Sequence, residues 1–321
     1  MSERTKNNEA PSLLHPPTQS RGLSTLLKSY IPAFSALSHI WSETFPSVLF
    51  KRGKEERLYD IDGNKYLDFD LDQGRLLFGH APAFLTTPIK NSISLGALEN
   101  HPTLSLSRFY SALKSVLPGL DQYDLFFVPD TRAAQGMFQA AYPGWDPVLP
   151  EMLVSKDDAS RLESRIDTLQ GGGNPLLLDE GISFLCLSAK SFIEQYNPEG
   201  AVINGILGLP LLLLKPGHAL RPVPWLPPQH RIITALEMLR AVRGSRSPYS
   251  HLSMLATHFK NKFSGTISDW RGFSPKINIT NEQRETLLRA GYFLNPTGYI
   301  HFCTCHTEKC VARLADNLNQ L

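Results

Sequence analysis

The spacing of apolar residues changes several times along the chain, and each change predicts an element. Leu23, Leu26, Leu27, Tyr30, Phe34, Leu37, Ile40 and Trp41 recur at helical intervals, with Pro32 as a break or kink. The period then shortens. Val48-Leu49-Phe50 reads as a short strand. Arg57–Ile61 and Lys65–Phe69 alternate on either side of Asp62-Gly63. An Asp-Gly pair between alternating runs predicts a hairpin, because glycine accepts the positive φ the turn needs. Arg75–Pro82 reads as a loop, followed by helical spacing over 83–94 and 104–117.

From about residue 124, strand and helix patterns alternate. Leu125–Val128 and Leu176–Leu178 read as strands, and Ala201–Leu214 as one or two more. Thr131–Ala141, Ala159–Leu169 and Ala189–Tyr196 read as helices. Such alternation predicts an α/β fold with a mostly parallel central sheet covered on both faces. A proline-rich stretch, 215–231, precedes helical spacing over 230–243 and 249–263. Thr280-Asn281-Glu282-Gln283 has the form of a capping box opening a helix to Ala290. Tyr299–Cys303 alternates like a strand, and Thr307 is placed to cap a last helix over 308–320. No internal repeat of fixed period is present.

Composition narrows the class. A chain of 321 residues is one large or two small domains. Its 42% hydrophobic content excludes disorder throughout, although the polar residues 1–21 read as a disordered tail. A net charge of +2 argues against a dedicated nucleic-acid binder. The longest apolar run, Gly205–Leu214, is broken by Pro210 and falls short of the roughly 20 residues a bilayer needs. Residues 1–21 carry no apolar core of a signal peptide. Four cysteines, three of them near the C-terminus, do not form a spaced disulfide framework. The expectation is a cytoplasmic protein with no membrane partner.

Four constellations could carry chemistry. Leu176-Leu177-Leu178-Asp179-Glu180 puts acids at the carboxyl end of a buried strand, the edge where open α/β sheets bind ligands. The alternative is an acid that simply ends a strand. His301, Cys303, Cys305, His306 and Cys310 are soft metal-ligand types at close spacing. In an extended strand His301, Cys303 and Cys305 share a face, and His306 and Cys310 are four apart, as on one helix face. The alternative is a buried strand entering a capped helix, with cysteine as a small hydrophobe. Gly171-Gly172-Gly173 lacks a phosphate-binding pattern and reads as a flexible connection. Lys215, Arg221, Arg231, Arg240, Arg243 and Arg246 read as a solvated face rather than a nucleic-acid surface. Hydrolase elbows and zinc-protease motifs are absent.

The order of these pieces resembles the class III aminotransferases, with glutamate-1-semialdehyde aminomutase as the nearest likeness. Leu58-Tyr59-Asp60-Ile61-Asp62-Gly63-Asn64-Lys65-Tyr66-Leu67-Asp68-Phe69 is similar to that family's N-terminal hairpin, and Leu76–Ala81 to its Gly-His-Ala loop. Phe127–Ala133 stands where the family carries its Ser-Gly-Thr phosphate loop. Asp179 matches the acid that pairs with the pyridinium nitrogen of pyridoxal phosphate (PLP) and keeps the ring an electron sink. Gln195–Pro210 resembles the segment through the Schiff-base lysine, and Tyr292–Leu294 with His306–Glu308 the C-terminal strand and helix.

The resemblance implies a PLP-dependent transferase fold covering about residues 35–320. Its large domain would span 83–222, shortened, and its small domain would join 22–82 with 223–321. It also implies a homodimer, or a heterodimer with a related subunit.

The departures concern the cofactor. At the lysine position the chain reads Asn204-Gly205, neither of which can form an aldimine. The next lysine, Lys215, lies past Leu209-Pro210. The phosphate loop reads Pro129-Asp130, leaving only Thr131 of the pattern. The stretch after Pro222 lacks the Gly-Thr a partner subunit offers to the phosphate. A proline removes an N–H donor, and an aspartate sets a negative charge where a phosphate would sit. Without the lysine there is neither a covalent hold nor a base for proton transfer. The expectation is therefore an aminomutase-like protein with impaired catalysis. The alternatives are an active, divergent enzyme using Lys215, and a non-enzymatic dimerising or zinc-binding protein.

Overall fold

The computed structural model describes residues 48–96, 101–116, 119–129, 131–141, 176–178, 200–203, 209, 211–218, 225–243, 248–271, 273–294 and 296–321, together with Gln19 and Leu23. The tail, the early helix and the helices expected over 159–169 and 189–196 lie outside these residues. In chain order the strands β1 (Phe50–Lys54), β2 (Arg57–Asp60) and β3 (Lys65–Asp68) lead to the helices α1 (Ala83–Ser94) and α2 (Leu104–Val116). Next come β4 (Asp124–Phe127), α3 (Thr131–Ala141), β5 (Leu176–Leu178), β6 (Gly200–Ile203) and β7 (Leu211–Leu214). Then follow α4 (Gln229–Arg243), α5 (Tyr249–Lys262), β8 (Ile267–Arg271), β9 (Ser274–Ile277), α6 (Asn281–Arg289), β10 (Tyr292–Phe293) and α7 (Glu308–Asn319).

The chain divides into two compact units, one made of Met1–Ala81 with His251–Leu321, the other of Pro82–Ser250. The first is organised by a four-stranded sheet of order β1-β2-β3-β10. The Asp-Gly hairpin forms as the sequence predicts, with Gly63 at φ 93°. Asp60, fully buried, fixes it by accepting hydrogen bonds from the Asn64 amide, the Asn64 side chain and Tyr66 Oη at 2.7–2.8 Å. Parallel pairing of β3 with β10 ties the two ends of the chain into one sheet. Phe69, fully buried, lies among Tyr292, Phe302 and His306. Val311, Leu314, Ala315 and Leu318 give α7 its buried face, at helical spacing.

Thr280 and Thr307 each cap their helix through reciprocal hydrogen bonds of a capping box. Tyr299–Cys303 does not become a strand. Its N–H groups go to different segments, Ile300 to Pro275 O and His301 to Phe69 O, and its one ladder contact is the bridge Lys276↔Tyr299. The hairpin β8–β9 carries no expectation from sequence, because Pro275 interrupts its second strand.

The second unit holds a sheet of order β4-β7-β6-β5. The mostly parallel arrangement expected from sequence holds for β5–β6, while β7 runs antiparallel to both β6 and β4. The reason is chain length. Residues 204–210 are too few for the crossover of about a dozen residues that a parallel return requires. Leu211–Leu214 are all fully buried, as a strand covered on both faces should be. Leu212 and Leu214 pack with Val128, Ala134 and Ala141, which seats α3 on the sheet. The buried Ile232, Leu236 and Leu239 recur along α4, which packs on α1 and α2.

Candidate functional site at the carboxyl edge of the sheet

Strand register places the sequence candidates. Leu178 of β5 pairs with Ile203 of β6, Ile203 with Leu211 of β7, and Leu211 with Phe127 of β4. These four residues form a row across one end of the sheet. At strand spacings of about 4.8 Å the row is roughly 15 Å wide. The carboxyl ends of β4, β5 and β6 all lie in it. After Phe127 come the buried Val128, the exposed Pro129, and then α3, whose first residue is Thr131. A helix N-terminus here can oppose an anion, since its first N–H groups have no partner within the helix. Asp179 follows Leu178 in sequence and Asn204-Gly205 follow Ile203. These three residues lie outside the described ones, while the strand ends that precede them are register partners.

The other end of the sheet is the row Asp124–Leu214–Gly200. Lys215 follows Leu214 there. The rise of β7 is about 3.4 Å per residue, so some 14 Å of chain separates Lys215 from the Leu211 row. Register thus brings Thr131 and the approaches to Asp179 and Asn204 to one edge and carries Lys215 to the other. Beside Lys215, His218 Nε2 meets Asp124 Oδ2 at 3.2 Å. The sequence gives no local signal for this pair, because strand pairing brings together residues from distant parts of the chain.

The first unit collects most of the remaining titratable side chains. The Asp68 carboxylate accepts hydrogen bonds from the amides of Asp70 and Leu71 and meets His80 Nε2 at 2.7 Å. Leu71 and Asp72, in the short helix Leu71–Gly74, and Ala81, next to His80, sit at positive φ, a costly conformation for residues with a Cβ.

The Cys and His side chains do not converge on one point. Among the described residues no group of three or more His, Cys, Asp or Glu is placed to hold a metal ion. Each candidate has another partner. Cys310 Sγ accepts from the Thr307 amide as part of the helix cap. His306 Nδ1 accepts from the Cys303 amide, and its ring stacks on Phe69 at 4.4 Å. His301 Nδ1 meets Ser274 Oγ at 2.8 Å. A turn closed by His306 N–H on Cys303 O bends the chain at Thr304–Cys305, which removes the strand geometry that would align His301, Cys303 and Cys305. Burial pushes the Cys303 thiol well up, whereas its hydrogen bond to Cys305 draws the Cys305 thiol down. Burial also lowers His306 to about 3, so this imidazole is neutral in the folded protein.

No family model matches the chain. A stretch of 74 residues, 23% of the chain, is 33% identical to glutamate-1-semialdehyde 2,1-aminomutase of Limosilactobacillus reuteri subsp. reuteri (strain JCM 1112) and spans 17% of that protein's length. Among solved structures, an omega-transaminase from Sphaerobacter thermophilus superposes with a TM-score of 0.73 at 12% identity, covering 94% of this chain and 96% of that one. A glutamate-1-semialdehyde-aminomutase from Pseudomonas aeruginosa PAO1 gives 0.69 at 14% identity, covering 94% of each chain. This is the aminotransferase fold.

A transaminase solved with PLP bound shares the fold at a TM-score of 0.65 and 13% identity, covering 96% of this chain and 97% of that one. A covalently held PLP would need a lysine at the edge formed by the ends of β5 and β6. The chain has no lysine from residue 191 to 214, and Lys215 leaves the sheet at the end away from the strand termini that precede Asp179 and Asn204.

Proposed function

We propose that the chain keeps the aminotransferase fold, with an aminomutase-like ancestry, and has lost transaminase chemistry. It acts by binding, as a homodimer or paired with a related subunit. The observation that carries this reading is the register of β5, β6 and β7. An amine used in catalysis must reach the ring that the acid at the end of β5 would orient, and the strand neighbouring that end continues into Asn204-Gly205. Lys215 would need to cover the length of β7. Pro129 at the approach to α3 supports the same reading, since it withdraws an N–H from any phosphate there. No described helix is long and apolar enough to cross a membrane. We place the protein in the cytoplasm, a setting compatible with the free thiols of Cys303, Cys305 and Cys310.

The test is incubation with excess PLP, followed by absorbance between roughly 330 and 430 nm, borohydride reduction and peptide mapping. The expected result is no stoichiometric adduct in a folded protein. A reducible band mapping to Lys215 would overturn the proposal and establish an active, divergent enzyme.

A further inference from the structure

The bend at Thr304–Cys305 sets two thiols close together in the first unit. His306 N–H donates to Cys303 O at 3.1 Å, so Cys303 and Cys305 are the first and third residues of a tight turn. Two Cα–Cα steps of about 3.8 Å folded in this way leave the outer Cα atoms roughly 5.5–6 Å apart, inside the range of about 4.4–6.8 Å that a disulfide bridges. Cys303 is fully buried, whereas Cys305 is partly exposed and donates from Sγ to Phe78 O at 3.4 Å. Gly79 leaves space for that sulfur, since a Cβ there would stand 3.1 Å from it. Thr304 N–H donates to Leu77 O at 2.8 Å and ties the turn to the same loop. The Cys310 thiol is engaged elsewhere, donating to Thr307 O at 3.0 Å and accepting from the Thr307 amide in the helix cap.

We propose that Cys303 and Cys305 form a dithiol that closes reversibly into a disulfide by exchange with a small-molecule disulfide. Cys305 begins the exchange, being the exposed member and the one whose thiol its neighbour draws down. Its thiolate attacks one sulfur of the reagent, the reagent's S–S bond breaks, and one thiol leaves, carrying the proton that Cys305 released. Cys303, once ionised, attacks the Cys305 sulfur of the mixed disulfide and expels the second thiol, which takes the Cys303 proton. The protein loses two electrons and two protons, and the reagent gains both. Burial keeps Cys303 protonated, but the attack is intramolecular, and a thiol of higher pKa is the stronger nucleophile once ionised. So small a ring is strained and labile, so excess thiol reopens it, as a reducing compartment requires. A disulfide sulfur carries no proton. Closure therefore removes the Cys305 donor from Phe78 O and one tie between the turn and the loop Leu76–Ala81 that carries His80.

The experiment incubates the full-length, folded protein with the neutral 2-hydroxyethyl disulfide, blocks remaining thiols by alkylation and maps tryptic peptides. Residues 290–309 form one such peptide, which holds both thiols, and Cys310 opens the next. The expected result is that peptide lighter by two hydrogen atoms and unalkylated, with both thiols restored by dithiothreitol. Cys305→Ser, which keeps a donor for Phe78 O, should abolish the reaction at this peptide. Cys303→Ala should stop at a mixed disulfide on Cys305. A mixed disulfide that persists on Cys305 in the wild-type chain, a link from this peptide to Cys310 or Cys186, or closure only after denaturation overturns the proposal. The wild-type chain and Cys305→Ser decide it even if Cys303→Ala fails to fold.

Discussion

Leu178 and Ile203 are direct partners in a parallel ladder, so the chain leaves both strands from the same edge of the sheet. The residue after one is an aspartate and the residue after the other an asparagine. An amine introduced after Ile203 follows the edge opposite the end at which Lys215 leaves the sheet. Asn204→Lys should acquire a borohydride-reducible PLP adduct that peptide mapping places at position 204, while the wild-type chain does not. Labelling spread evenly over surface lysines in both proteins would count against this placement.

β7 should be the energetic centre of the second unit. All four of its leucines are fully buried, and Leu212 packs against the α3 cluster. Leu212→Ala removes buried methyl groups and leaves a cavity, at a cost of about 2–5 kcal/mol. Leu104→Ala, at a position 67% exposed, should change stability by no more than about 0.5 kcal/mol. Chemical denaturation of the two variants compares them directly.

His306 makes the first unit sensitive to acid. Its folded-state pKa lies near 3, below the ordinary 6.5, because burial penalises the charged ring. The folded state thus binds the proton more weakly than the unfolded state. Its contribution to stability is complete above about pH 6.5 and is lost progressively as pH falls toward 3, with a slope of up to about 1.4 kcal/mol per unit. Nδ1 accepts the Cys303 N–H, so the proton added in acid lands on that nitrogen and displaces the hydrogen bond. His306→Asn retains an acceptor for the Cys303 amide and should flatten the acid limb of the stability curve. Denaturation midpoints at a series of pH values between 4 and 8 would show it, and an unchanged acid limb would refute it.

The two thiols of the Cys-Thr-Cys turn should differ in reactivity. Cys305 is half-buried and held down by the Cys303 hydrogen bond, whereas Cys303 is fully buried and pushed up. Thiolate is the reacting form. Limited alkylation followed by mass mapping should mark Cys305 before Cys303. Simultaneous labelling would signal local opening of this segment.

Local signals in the sequence located elements well and pairings poorly. Thr280 and Thr307 announce their helices through side chains that bond the next turn, and the Asp62-Gly63 turn announces its hairpin. In each case the interacting groups are only a few residues apart. Helical spacing placed α1 and α3 at their observed ends. The direction of β7 was not readable from an apolar run, since a strand buried on both faces looks alike in either direction. The Cys and His run suggested a ligand set from spacing alone. In the fold these side chains serve a cap, a stack and a turn, contacts that depend on Phe69 and on a bend at Thr304. The Asp68–His80 and Asp124–His218 pairs had no local signature. The edge chemistry was read through the resemblance, because residue type at one strand end has meaning only beside its neighbours.

β4 has β7 as its only ladder partner among the described residues, and the two strands lie far apart in the chain. β6 and β7, by contrast, are separated by residues 204–210 alone. Closing the short connection costs little chain entropy and closing the long one costs more. The β6–β7 hairpin can therefore assemble early, and β4 must arrive as a late visitor to a finished template. Folding speed would then be set by that arrival, with substitutions in β4 slowing the approach less than they hasten its departure.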